Sequence, residues 1–371
     1  MTALYGNSSI ARVMIAVGLA TVFCLPLLGC GSAVGQDQTS ADLPKLKKPP
    51  LFVQAGVAPQ YVFAVEPGLL SEASRTVPAE MTVYSVPRLE LTRDLVCDFA
   101  DRVGVSVLPE YRTTMAETVD SEYISLTVIG ELTANLLTDE SNVGPDDKFV
   151  SLIESRVGEI KGDNLVMLDM TVTESGNFTI NLRGAHPDPA GNPSTEEDAL
   201  AIAERFVEQS GLLPEGCELG GVSSSAYVPG PESAGGKIES RAIARQVVYQ
   251  RYLDGYPAGQ FVVQVNGKDE IYYVYRNARN VTPLASYPIL TAEEAIEALE
   301  DGRGSVTGPA LPGARLEATI EKIKLCYDQG AAGIPYETMQ PSYWIEGNVA
   351  GYEDGFRALL PAVRPEHLEE E

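Results

Sequence analysis

The sequence predicts an α+β fold in which antiparallel β-meanders each pack on a helix, arranged as two tandem domains. Three observations predict it. Period-two runs rich in Val, Ile and Tyr mark strands. Asp254-Gly255 and Asn266-Gly267 join such runs as hairpins, because a type I′ turn needs positive φ at both central residues. Helix-start signals recur at Thr92, Ser194 and Thr291, each followed by apolar residues at helical spacing.

The chain opens on an address. Val13 to Leu28 is an apolar run behind a single basic residue, Arg12, and it contains Gly18 and Pro26. A membrane-spanning helix needs about 20 apolar residues, so this run fits a secretory signal better than a span, with a short uncleaved anchor as the alternative. Leu27-Leu28-Gly29-Cys30 resembles the lipobox of bacterial lipoproteins. That resemblance implies cleavage before Cys30 and lipid on its sulfur, which places the body on the extracytoplasmic face of the cell membrane. A thioether lipid plus an acylated amino terminus supplies the two or more chains that stable anchoring needs.

Residues 30–60 read as a tether, polar from Gly31 and ending its first part in Pro49-Pro50. Lys45, Lys47 and Lys48 form its one basic patch, expected to be solvated. The N-terminal domain, 61–190, holds strand candidates at Met81–Pro87, Tyr123–Ile129, Asn164–Val172 and Asn177–Leu182 around the Thr92 helix, with Glu174-Ser175-Gly176 as a turn. Gly184 to Pro193 (GAHPDPAGNP) marks the predicted boundary, since Pro and Gly interrupt both helix and sheet.

In the C-terminal domain, 191–371, Ser194-Thr195-Glu196-Glu197 reads as a capping box and Gly211 as the stop of that helix. Three strands follow, Gln246–Leu253, Tyr256–Val265 and Lys268–Arg276, and then a helix whose box is Thr291-Ala292-Glu293-Glu294. Arg315–Tyr327 alternates only imperfectly, and Ser342–Glu346 and Phe356–Ala362 are the last strand candidates.

The segment Val248 to Gly259 (VYQRYLDGYPAG), with a following strand and Asn-Gly turn, resembles PepSY and propeptide-like domains. Ala285 to Ala295 (ASYPILTAEEA), Gln340 to Ile345 (QPSYWI) and Phe356 to Ala362 (FRALLPA) are similar to the YycH and YycI group. The resemblance covers about 194–364. It implies an exported, membrane-attached Gram-positive protein that modulates a sensor kinase through protein contacts. Those regulators are held by a transmembrane helix, whereas this chain carries a lipobox, so the fold and the non-catalytic role carry over better than the kinase.

Composition narrows the function classes. A net charge of −25, with 52 acidic against 27 basic residues, disfavours nucleic acid as a partner. Only His186 and His367 are available, too few for a multi-histidine zinc site. Cys97, Cys217 and Cys326 lack metal-ligand spacing and read as three buried thiols or one bridge and one thiol. Asp146-Asp147 lies in an acidic turn without the residue order of a calcium loop. The pairs Glu196-Glu197 and Glu293-Glu294 are explained as helix starts.

No cofactor is called for and no catalytic residue is assigned. The aromatic residues of the last third, Tyr343, Trp344, Tyr352 and Phe356, read as a sheet core facing the Thr291 helix or as the candidate surface for an envelope-protein partner, and both readings can hold because Tyr343 and Trp344 point to opposite faces of a strand. A cell-wall-active hydrolase or a solute-binding lipoprotein is the alternative. For the anchor, Cys30→Ser is expected to shift the protein from the membrane pellet to the soluble fraction on ultracentrifugation. Full retention in the pellet would contradict the lipobox.

Overall fold

The Asp254-Gly255 dipeptide turns the chain as predicted, with φ of 51° and 82°, and joins two long antiparallel strands of the largest described sheet. The computed structural model describes residues 43–48, 60–107, 117–119, 123–132, 165–183, 185, 187–188, 190–232, 238–309, 315–327, 337–353 and 355–369. His186, Asp146, Asp147, the signal segment, the lipobox and Cys30 lie outside the described residues.

The elements run β1 (Gln60–Val65), α1 (Leu69–Thr76), β2 (Glu80–Ser85), α2 (Arg93–Arg102), β3 (Val105–Val107), β4 (Glu117–Val119), β5 (Tyr123–Leu132), β6 (Leu165–Thr173), β7 (Phe178–Arg183), α3 (Glu196–Ser210), β8 (Cys217–Glu232), β9 (Ile238–Leu253), β10 (Tyr256–Asn266) and β11 (Ile271–Arg276). They continue as β12 (Thr282–Pro288), α4 (Ala292–Glu300), β13 (Ser305–Thr307), β14 (Arg315–Tyr327), β15 (Thr338–Met339), β16 (Pro341–Val349) and β17 (Phe356–Pro361). The fold is α+β, and the described residues form three sheets that are antiparallel except for the β1–β14 pair.

The large sheet has the order β3-β5-β6-β7-β11-β10-β9-β8, with β4 also on β5. Its inner face meets α2 and α3 in a core containing Val96, Phe99, Leu168, Phe178, Phe206, Phe261 and Val274. Its outer face carries a polar row. Thr127, Asp169, Asn181, Tyr273, Gln264 and Gln246 stand in register across six strands, as expected where one face of an antiparallel sheet is solvated.

The second sheet, β1-β14-β16-β17-β13, and the third, β12-β2-β15, enclose another core with α4. That core takes Met81, Tyr84 and Val86 from before α2 and Ile289 to Ala362 from after β12. Residues 91–274 supply the first core, so the chain starts one core, builds the other, and returns. The tip of the β9–β10 hairpin reaches into the second core with Leu253, Tyr256 and Ala258.

This nesting changes the predicted division. Strands β7 and β11 pair across Gly184 to Pro193, and residues 40–371 form one compact unit rather than two tandem bodies that part there. Residues 43–48, inside the stretch read as a tether, also lie against the body. Leu46 is buried beside Val83, Tyr287, Val363 and Leu368, its amide donates to the His367 carbonyl (2.8 Å), and Lys47 Nζ meets Glu337 (3.0 Å).

Local signals show similar shifts. Thr291 and Glu294 form the predicted capping box reciprocally. At α3 the cap moves one residue on: Thr195 accepts from the Asp198 amide (3.1 Å), while Ser194 Oγ donates to the Asn266 carbonyl. The Asn266-Gly267 turn is a wider loop whose positive φ falls on Asp269 (62°). Gly267 is needed there for space, because a Cβ would collide with the Asn192 backbone. The imperfect alternation of β14 is a bulge between Ile320 and Lys322. Before it Leu316, Ala318 and Ile320 face inward; after it Leu325 and Tyr327 do. None of the three cysteines named above is in a disulfide, and only Cys97 is buried while the others are half-buried, so the reading of three buried thiols holds for one.

Gly347 on β16 tests the packing of the second sheet. An added Cβ would meet the Thr319 backbone and the Phe356 ring, 2.7 Å away. Gly347→Ala is expected to lower stability by about 1–3 kcal/mol, the usual range for overpacking, seen as a drop in Tm on calorimetry. An unchanged Tm would show that β14 and β16 can move apart without cost.

Candidate functional site

The start of α4 is tied to the second core by several hydrogen bonds and an ion pair. Glu294 accepts from the Thr291 amide (2.8 Å) and Thr291 Oγ1 from the Glu294 amide (3.2 Å). Glu294 also takes Arg364 Nη2 at 2.7 Å. Ser74 Oγ of α1 donates to Glu293 Oε1 (2.9 Å). Beneath them the Ile289 amide donates to Ala79, the Leu290 amide to Ala362 (2.8 Å), and the buried Tyr343 hydroxyl to the Leu290 carbonyl (2.6 Å).

These contacts frame a cavity of about 490 Å³ between the end of α1, the start of β2 and the start of α4. Val77, Pro78, Ile289 and Leu290 give it an apolar floor, and Ser74, Glu80, Glu293 and Arg364 a polar rim. That size and mixture are those of small-ligand sites. Hydrogen bonds hold both α4 carboxyls below the usual carboxylate range: for Glu293 from its own amide and then Ser74, for Glu294 from the Thr291 amide and then Arg364. Burial raises the Tyr343 hydroxyl, helped by the charges of Glu293 and Glu294.

A second surface lies on the opposite side of β16. Strand alternation sends Tyr343 inward, fully buried, and leaves Trp344 37% exposed on the outer face. Trp344 stands in register between Lys324 of β14 and Leu359 of β17. The next row is an ion lattice, with Glu346 meeting Lys322 (3.1 Å) and Arg357 (3.4 Å). The Glu346 carboxyl sits below its usual range, first because the Trp344 indole N–H donates to it and then because of Lys322. The indole is thereby held by a hydrogen bond in a charged surround, a combination common at contact surfaces.

The four aromatic residues therefore divide between the core and the contact reading. Trp344 and Tyr352 are exposed, whereas Tyr343 and Phe356 are buried in the core, Phe356 against Tyr61 and Phe63. The period of two already separates Tyr343 from Trp344; Phe356 needed its partners on β1, which is distant in sequence. Glu293 was legible only as a helix-start acid, and α1, which brings Ser74 and Val77 to the cavity, carried no signal that marked it. Among the described residues, no three His, Cys, Asp or Glu side chains are grouped to hold a metal ion, and no helix is long and apolar enough to cross a membrane.

No protein-family model matches the chain, and no curated protein does. Among solved structures it is similar to an uncharacterized protein from Eubacterium rectale, with a TM-score of 0.35, 9% identity, and coverage of 84% of this chain and 91% of that one.

The depressed carboxyls give a pH dependence with a definite sign. A folded-state pKa below the ordinary 4.5 adds stability that is complete above that value and is lost as pH falls through the folded-state pKa. Tm is expected to fall on acidification below pH 4.5, and Glu294→Gln to flatten that slope while lowering Tm at neutral pH. Superimposable pH profiles for the two proteins would remove the Arg364–Glu294–Thr291 cluster from the account.

Proposed function

We propose that the chain is a lipid-anchored extracytoplasmic binding module, without catalysis, that contacts another cell-envelope protein through the outer face of the second sheet. The observation that carries this reading is Trp344, exposed in the middle of that face and oriented by Glu346 within a lattice of both charge signs. Trp is enriched at contact centres because it offers a large apolar area at small entropic cost. Alternating charges around it add register and selectivity to such a contact. The lipobox at Leu27-Leu28-Gly29-Cys30 supports the location, and the negative surface suits solubility outside the cell. The cavity beside α4 favours a second reading, a solute-binding lipoprotein.

Trp344→Ala separates the contact from the fold. The variant is expected to stay folded with a Tm lower by only a few degrees, since it gives up the hydrogen bond to Glu346 and part of its packing on the sheet but no fully buried side chain. It should lose most of the retention of the envelope partner that the soluble chain from residue 31 captures in a cross-linking pull-down. Equal retention by both proteins would exclude this face.

A further inference from the structure

We infer that the cavity beside the start of α4 binds an organic ammonium ion carrying an apolar body. This site is separate from the Trp344 face and does not rest on it. A helix start ordinarily attracts anions, because its first amides lack partners. Here those donors are already engaged: the Thr291 amide by Glu294, the Glu294 amide by Thr291, and the Glu293 amide by its own carboxylate. The rim's one cation, Arg364, is held by Glu294 at 2.7 Å. Glu293 and Glu80 are then the charges left for a ligand, and both are negative. A carboxylate ligand would meet two like charges. An ammonium would meet two acceptors and make charge-assisted hydrogen bonds.

The floor selects the rest of the ligand. Val77, Pro78, Ile289 and Leu290 offer apolar surface with few donors, suited to a branched alkyl chain rather than to a bare hydrated cation. A volume of about 490 Å³ accommodates a body of leucine size. The Ile289 and Leu290 amides are engaged with Ala79 and Ala362, so this floor is fixed before a ligand arrives.

Three probes of equal apolar body separate the charge requirement: L-leucinamide (cation), L-leucine (zwitterion) and 4-methylpentanoate (anion). In titration calorimetry and thermal shift at low ionic strength, leucinamide is expected to bind and raise Tm. Leucine should bind more weakly and 4-methylpentanoate not at all. Glu293→Gln and Glu80→Gln should each weaken leucinamide about tenfold, or about 1.4 kcal/mol. Both variants leave the Thr291–Glu294 capping box intact, and Trp344→Ala should leave leucinamide binding unchanged. Binding of 4-methylpentanoate as tight as that of leucinamide, no leucinamide binding, or binding untouched by both Gln variants would each overturn the proposal.

Discussion

Two guanidinium groups, buried where β11 ends, hold the chain at its return from the first core to the second. Arg276 Nε donates to the Ala278 carbonyl (2.8 Å) and its Nη2 to Asn280 (2.6 Å), while Arg251 Nη1 donates to the Arg279 carbonyl. The Arg276 guanidinium also lies 5.8 Å from the Phe178 ring. Burial, and then the like charge of Arg251, pull Arg276 down to about 10, which still leaves it a cation at neutral pH. A buried cation must be met by acceptors, and here they come from the crossover between the large sheet and β12. The loop is therefore fixed from both sides, by β9 and by β11.

That fixed return makes the rest possible. It delivers β12 to β2, a strand laid down before the first core was begun, and so closes the second core around residues far apart in sequence. The α4 corner follows directly, since Ile289 and Leu290 reach Ala79 and Ala362 only once β12 is in place. The strand β16 then separates two environments by simple alternation. Tyr343 supports the cavity floor from within, and Trp344 faces out between Lys324 and Leu359. One strand thus serves the two surfaces without either needing the other.

What could be read from the sequence was local. The Thr291 box, the Asp254-Gly255 turn and the period-two strands depend on neighbours within a few residues, and the structure places them as expected. The bulge in β14 was visible as faulty alternation but not interpretable without β16. The nesting was invisible, because pairing of β2 with β12 or of β7 with β11 leaves no trace in either segment alone. The Pro and Gly residues of 184–193 read equally well as a domain boundary and as a loop within one sheet. The cavity was hidden for the same reason: its floor and rim come from three separate stretches, and Glu293 looks like any acid in a first helical turn.

The nested arrangement makes the C-terminal half dependent on the N-terminal one. Expression of residues 191–371 alone, followed by circular dichroism and a proton–nitrogen NMR spectrum, measures that dependence directly. Without β1, β2 and β7 the fragment loses an edge strand of the second sheet, the central strand of the third and the neighbour of β11 in the large sheet, as well as Met81 and Tyr84 from the second core. The nested cores predict a poorly dispersed spectrum and no cooperative melt. A well-dispersed spectrum with a sharp thermal transition would show that the halves are independent domains and would contradict it.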